Sequence, residues 1–206
     1  MFKSQCTVVF YHGGGWVFGD LDSHADFLRA LCQRAKVNIL AVDYRRAPEA
    51  TINEIYEDCD QALNWAIQTH LAHKFVLMGD SAGGQLALMN ALRHKEKIHG
   101  VIAIYPVADL SADYSKSRNN GRVLSDRMMK LFVRCALQGG LAENSPEVSA
   151  TYADPANLPP LLMLTAGNDI LCPDAVAFAE KAEKAGVKVR SVTLRGAIHG
   201  FATNTA

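Results

Sequence analysis

The chain lacks the features that would mark a nucleic-acid-binding or membrane-spanning protein. Its 206 residues carry 21 Lys plus Arg and 21 Asp plus Glu, so no net charge attracts nucleic acid or an anionic membrane surface. No apolar run approaches the roughly 18 residues that a membrane span needs. We therefore expect no nucleic-acid partner and no membrane span.

The cysteines lack any paired spacing, and the first residues show no targeting pattern. The five cysteines are odd in number, scattered, and contain no C-x-x-C pair, which argues against a disulfide framework and against a zinc site. Residues 1–5 contain neither an apolar h-region nor a small-residue cleavage site. These observations predict a reduced, cytoplasmic protein without a metal site.

What the sequence does contain is a serine turn between a strand and a helix. The apolar run 76–78 leads into GDSAGG at 79–84, a Gly-x-Ser-x-Gly pattern, and helix-forming residues follow. A turn this tight brings strand and helix so close that a Cβ at Gly79 or Gly83 would clash. Ser81 is then exposed at the apex as a nucleophile, which requires a base and oxyanion donors.

A glycine-rich loop, HGGGW at 12–16, follows the first predicted strand. Three consecutive glycines are too flexible for the interior of an element, and their N–H groups can point at a ligand from the strand's carboxyl end. A flexible turn explains the triplet equally well when it is taken alone. Its place in a chain with a serine turn favours an oxyanion site.

Strand-like and helix-like segments alternate along the chain, which predicts right-handed crossovers and a mostly parallel sheet flanked by helices. The predicted strands span 6–11, 37–42, 75–79, 101–104, 161–165 and 187–193, and the predicted helices span 23–36, 53–70, 82–94, 125–138 and 173–186. Ser23 and Ser125 are the expected caps of the first and fourth helices. Within a single domain, 1–206, we assign a small lid or insertion to about 109–140. The apolar stripe of the helix there, including Met128 and Phe132, is explained either by core packing or by a lid that lines an acyl pocket.

Three chemistry-bearing residues follow three different predicted strands. Ser81 follows the third strand, Asp169 the fifth and His199 the sixth. Because the carboxyl ends of parallel strands share one sheet edge, we expect the three to meet there, in the chain order of a Ser-Asp-His triad. Asp174 is the alternative acid, five residues past Asp169.

These motifs together resemble the hormone-sensitive-lipase-like carboxylesterases, the bacterial family IV esterases. The resemblance covers nearly the whole chain and rests on HGGGW at 12–16, DYR at 43–45, APE at 47–49, GDSAGG at 79–84, DIL at 169–171 and HGF at 199–201. It implies an α/β-hydrolase fold without a metal or organic cofactor. It also implies Ser81 as the nucleophile, His199 as the general base and acid, and Asp169 as its orienting carboxylate.

The same resemblance implies further roles around the serine. The oxyanion donors would be the N–H groups of Gly14, Gly15 and Ala82. Asp80 would support the turn, and Trp16 would line the pocket.

The sequence departs from the family pattern at both ends. Members usually have a helical cap and two strands before the glycine loop and a final helix after the histidine, whereas 11 residues precede His12 and 7 follow His199. We therefore expect about six strands, no N-terminal cap and an open site for short-chain esters. The exposed edges would be strand 37–42 and the sixth strand, and the resemblance predicts a homodimer through a sheet edge.

The leading functional hypothesis is a serine hydrolase that cleaves small, short-chain carboxylic esters. An amide or formamide hydrolase would use the same triad. A non-catalytic small-molecule binding protein on a hydrolase scaffold is the alternative outside enzymes, and the presence of His199 argues against it.

Overall fold

A computed structural model describes residues 4–69, 72–119 and 121–203. In that part of the chain, six strands form one sheet in the order β2-β1-β3-β4-β5-β6. The strands are β1 (Cys6–Tyr11), β2 (Asn38–Val42), β3 (Lys74–Asp80), β4 (Gly100–Ile104), β5 (Leu161–Asn168) and β6 (Val189–Ile198). Every neighbouring pair is parallel, which confirms the predicted parallel sheet, with β2 and β6 at its edges.

Five α-helices of the described residues connect the strands. They are α1 (Ala25–Ala35), α2 (Ile52–Gln68), α3 (Ala82–Arg93), α4 (Asp126–Leu137) and α5 (Cys172–Lys184). Ser125 caps α4 by accepting the N–H of Met128 at 3.2 Å, as expected from the sequence. The predicted end of the second helix at His70 lies outside the described residues.

One predicted helix cap was wrong, and one predicted helix start is displaced by one residue. Ser23 does not cap α1, because it lies in a 3-10 turn and its hydroxyl donates to the carbonyl of Asp20 at 2.7 Å. The cap of α2 is Thr51, which forms a capping box with Glu54. The helix was predicted to begin at Asn53 and begins one residue earlier, at Ile52, because backbone geometry at the turn selects Thr51 as the cap.

The central strands are buried on both faces, which explains their continuous apolar character. Val9 and Leu77 are fully buried in the larger core cluster, together with side chains of α2, α3, α4 and α5. Val8 and Phe10 point to the opposite face and pack with Leu28 of α1. The alternation along β1 thus divides the core into two layers around a rigid sheet.

The segment between β4 and β5 contains α4, and this is where the lid or insertion at 109–140 was predicted. The helix packs into the core through Met129 and Val133, while Leu131 remains 55 % exposed.

In the part of the chain that the structure describes, no helix is both long and apolar enough to cross a bilayer.

Candidate active site

Ser81 lies at the apex of a strained turn between β3 and α3. Its φ is 55° and its ψ is −120°, a conformation that non-glycine residues rarely adopt. A Cβ on Gly79 would overlap the carbonyl of Gly83, and a Cβ on Gly83 would overlap the carbonyl of Tyr11. The steric requirement for both glycines is confirmed. Because strand and helix are pressed together, the serine is held at the sheet's carboxyl edge.

The structure brings Ser81, His199 and Asp169 together. His199 Nδ1 donates to Asp169 Oδ2 at 2.6 Å, and this fixes the tautomer so that Nε2 accepts from Ser81 Oγ at 2.9 Å. The carboxylate is fully buried and the imidazole is 13 % exposed. The arrangement can therefore move a proton from the serine to the imidazole with little competition from water.

The alternative acid, Asp174, lies in α5 and has a different partner. It accepts a hydrogen bond from the hydroxyl of Tyr114 at 2.7 Å. Burial raises the pKa of Asp174, and the hydroxyl of Tyr114 opposes that shift. Asp169 is the carboxylate that contacts His199, and its second oxygen accepts the N–H of Leu171 at 3.1 Å.

The glycine loop turns its backbone in a way that L side chains do not favour. Gly14 has a φ of 120° and Gly15 a φ of 63°, and the carbonyl of Gly14 accepts the N–H groups of Val17 and Phe18. Within 4–69, 72–119 and 121–203, neither Gly14 nor Gly15 donates its own N–H to another group. Ala82 is the first residue of α3, where helix geometry leaves the N–H without an intrahelical acceptor. All three remain available as donors to a ligand.

Asp80 connects the serine turn to this loop. Its Oδ1 accepts the N–H of Gly13 at 2.9 Å, and the hydroxyl of Tyr105 lies 3.4 Å from its Oδ2. The ring of Tyr105 also packs against that of His199, with centroids 4.8 Å apart. Asp80 was predicted to support the serine turn, and its carboxylate lies where it contacts both the glycine loop and Tyr105.

Trp16 does not line the pocket, which corrects the prediction. It is fully buried in the core, and its Nε1 donates to Gln85 Oε1 at 3.2 Å. Gln85 in turn donates to the hydroxyl of Tyr56 at 2.6 Å and to the carbonyl of Val148 at 2.7 Å. The indole anchors the glycine loop from beneath, because a buried indole N–H needs an acceptor and α3 supplies one.

A cavity of about 300 Å³ opens beside Ser81. Met128 and Phe132 of α4 lie in its wall, together with Gly14, Gly15 and His199. A larger cavity of about 820 Å³ lies elsewhere, between α2, α3 and the segment 141–154, and its lining includes none of the predicted site residues. Ser81, His199 and the glycine loop thus meet at the smaller cavity, and Asp169 lies behind His199.

Three polar residues near the site were not singled out from the sequence: His24, Gln85 and Tyr105. Nothing in their local patterns separates them from ordinary helix and loop residues, since each gains its partner from a distant segment. Among the described residues, no group of three or more His, Cys, Asp or Glu side chains could hold a metal ion. All five cysteines are free, and only Cys59 is fully buried.

Comparison with known proteins agrees with the observed fold. A family model described as the alpha/beta hydrolase fold matches residues 8–203. Lipase 2 of Moraxella sp. (strain TA144) is 29 % identical over 236 residues, which cover 96 % of this chain and 54 % of the relative. Ethyl acetate hydrolase of Pseudomonas putida is 31 % identical over 208 residues, which cover 95 % of this chain and 65 % of the relative.

A solved structure is also similar. An esterase of Pyrobaculum calidifontis superimposes with a TM-score of 0.89 at 32 % sequence identity, over 97 % of this chain and 69 % of that one. The chain spans between 54 % and 65 % of the length of the two curated relatives. Family model, motifs and fold lead to one conclusion: this chain belongs to the α/β-hydrolase fold family, in its hormone-sensitive-lipase-like branch.

Proposed function

We propose that this chain is a serine hydrolase that cleaves short-chain carboxylic esters through an acyl-enzyme on Ser81. The observation that carries the proposal is the continuous contact from Ser81 Oγ through His199 to Asp169, at 2.9 and 2.6 Å. The names of the similar proteins support an ester as the substrate class, since they include an ethyl acetate hydrolase and a lipase.

In the first half of the reaction, Ser81 Oγ attacks the ester carbonyl carbon while its proton passes to His199 Nε2. The carbonyl oxygen becomes an oxyanion, for which the N–H groups of Gly14, Gly15 and Ala82 are the donors. The C–O bond to the alcohol then breaks, and His199 gives the proton to the leaving oxygen. Asp169 stays ionised and stabilises the imidazolium.

In the second half, water replaces the alcohol. His199 removes one proton from the water as its oxygen attacks the acyl carbon, and the same donors hold the second oxyanion. The bond between the acyl carbon and Ser81 Oγ breaks, the proton returns to the serine, and the carboxylic acid leaves.

The preference for short acyl chains is supported by the cavity. Its volume of about 300 Å³ is at the lower end for a small-molecule site. Phe132 closes one side by packing directly against Gly15, where even a Cβ would lie 2.5 Å from the ring. A small, mostly apolar space beside the nucleophile favours a short acyl group.

The test is hydrolysis of p-nitrophenyl esters from acetate to dodecanoate by the wild type, Ser81→Ala and the exposed control Ser191→Ala. We expect turnover to be greatest at two to six carbons, to fall about 10⁶-fold in Ser81→Ala, and to stay unchanged in the control. A fluorophosphonate should label only proteins that retain Ser81. Equal rates in wild type and Ser81→Ala, without labelling, would favour a binding protein; faster turnover of p-nitroacetanilide would favour an amidase.

A further inference from the structure

A second buried Asp–His pair lies beside the serine turn, and the acyl-transfer steps do not use it. His24 Nε2 is 3.0 Å from Asp80 Oδ1, and both side chains are 7 % exposed. Both residues lie in the wall of the cavity that contains Ser81. Burying a carboxylate is unfavourable unless it is paired. His24 therefore compensates for the burial of Asp80 next to Ser81.

The carboxylate of this pair also holds the glycine loop. The same Oδ1 of Asp80 accepts the N–H of Gly13 at 2.9 Å, one residue before the donors of Gly14 and Gly15. The contact is close: a Cβ on Gly13 would lie 2.5 Å from Asp80 Oδ2 and 2.9 Å from the carbonyl oxygen of Asp80. One carboxylate oxygen therefore joins the loop, the serine turn and His24.

The polar contacts around His24 fit a protonated ring: Nε2 makes an ion-pair contact with Asp80 Oδ1 without an aligned hydrogen bond, and Nδ1 is hydrogen-bonded to Ser23. Ser23 Oγ lies 2.9 Å from Nδ1 and donates its own proton to the carbonyl of Asp20 at 2.7 Å, so it is left to accept from the ring. With Asp80 at Nε2, both ring nitrogens face acceptors, as in an imidazolium. Burial opposes the charge, but the contacts with Asp80 outweigh it and the pKa of His24 is raised.

The other ionisable groups near Asp80 do not supply a positive charge to it. The ring of His12 lies 6.0 Å from that of His24, and burial lowers the pKa of His12, so that ring stays neutral. Tyr105 contacts the other oxygen of Asp80 as a neutral hydroxyl, because burial keeps its pKa far above the ordinary value. Of the two histidines, His24 is thus the one whose pKa is raised and whose ring faces the carboxylate adjacent to Ser81.

We propose that His24 is a positioning residue that acts through Asp80 on the oxyanion loop. The pair fixes Gly13, and through it the N–H groups of Gly14 and Gly15. It also neutralises a negative charge that would repel the developing oxyanion. This inference rests on the proposed function, because the loop affects a rate only if acyl transfer takes place.

The experiment compares two substitutions of His24 with a matched control. His24→Leu removes both donors, whereas His24→Gln keeps an amide donor toward Asp80. The control is His94→Leu, because His94 Nε2 contacts Asp60 Oδ1 at 3.1 Å in a second, similar pair. That pair lies at the far end of the 12-residue helix α3, about 18 Å from the serine turn.

The activity readouts are kcat and KM for p-nitrophenyl butyrate and the affinity for an alkyl trifluoromethyl ketone, whose serine adduct carries an oxyanion. For His24→Leu we expect kcat to fall about 10²-fold, KM to change less than about threefold, and ketone affinity to fall with kcat/KM. His24→Gln should recover at least about tenfold in kcat, and His94→Leu should stay within about threefold of wild type.

A readout independent of activity is amide hydrogen exchange of the loop 12–19. Faster exchange there in His24→Leu, but not in His94→Leu, would support positioning even in a protein that hydrolyses no ester, and only the proposed function would then fail. Unchanged loop exchange in folded His24→Leu would overturn the inference. If the wild type hydrolyses esters, an unchanged kcat in His24→Leu would also overturn it. So would the absence of any recovery of kcat in folded His24→Gln.

Discussion

Replacing Asp169 by asparagine separates the proposed orienting role of this carboxylate from its packing role, because the two side chains have nearly the same shape. Oδ1 of Asp169 accepts the N–H of Leu171 at 3.1 Å, so the carbonyl oxygen of asparagine would occupy that position. The amide NH₂ would then face His199 Nδ1, where Oδ2 is now 2.6 Å away. An NH₂ group cannot accept a hydrogen bond. The imidazole would have to hold its proton on Nε2, which could no longer accept the proton of Ser81.

The magnitude follows from how completely the pair is buried. The carboxylate of Asp169 is fully buried and the His199 side chain is 13 % exposed, so water cannot replace the lost acceptor. Loss of the correct tautomer in a triad of this type lowers kcat by about 10⁴-fold, which corresponds to about 5.5 kcal/mol in the activation free energy. We expect KM to change little, because Asp169 makes its contacts with His199 and Leu171 and does not line the cavity.

The assay is steady-state hydrolysis of p-nitrophenyl butyrate by the wild type, Asp169→Asn and Asp174→Asn. Asp174 is the matched control: it is an aspartate five residues away that is bonded to Tyr114 instead of the imidazole. We expect Asp174→Asn to keep kcat within about threefold. More than a tenth of wild-type kcat in folded Asp169→Asn, or an equal loss in folded Asp174→Asn, would refute the reasoning.

Two further predictions concern stability. Gln85→Met should lower the free energy of unfolding by about 3 to 5 kcal/mol, because it removes three hydrogen bonds to buried groups. Urea unfolding, with exposed Gln61→Met as a neutral control, measures this, and a loss below about 1 kcal/mol would contradict it. Burial lowers the pKa of His12, so the unfolded chain binds more protons than the folded one just below the ordinary pKa of about 6.5. The contribution of His12 to stability should therefore fall as pH drops through that range, by at most about 1.4 kcal/mol per pH unit, whereas the raised pKa of His24 acts in the opposite direction above that range. A His12→Asn variant should show a shallower decline than wild type, and an identical pH dependence in both proteins would contradict the assignment.

Much of the fold was predictable because its signals are local. A strand buried on both faces needs an unbroken apolar run, as in 76–78, and a tight turn between strand and helix needs glycines where a Cβ would overlap the backbone. Helix starts were less predictable. Thr51 and Asn53 are both acceptable caps by residue type, and backbone geometry selected Thr51.

Some residues of the candidate site could also be predicted from the sequence, and others could not. Ser81, Asp169 and His199 could be placed at one sheet edge, because the carboxyl ends of parallel strands must meet there. The position of Trp16 could not be predicted, because whether an indole beside a glycine loop faces the cavity or the core depends on the acceptor beneath it. Here Gln85 supplies that acceptor, and the ring is turned inward.

By itself, the sequence determined the parallel sheet, the strained serine turn, and the strand ends at which the three chemistry-bearing residues stand. These features depend on periodicity, on glycine sterics and on the order of segments along the chain, all of which can be read directly from the sequence. Only the tertiary structure decided that His24 pairs with Asp80 and that Asp174 bonds to Tyr114 instead of His199. Such choices depend on which polar groups burial brings within hydrogen-bonding distance, since a buried donor or acceptor must take the partner that packing places beside it.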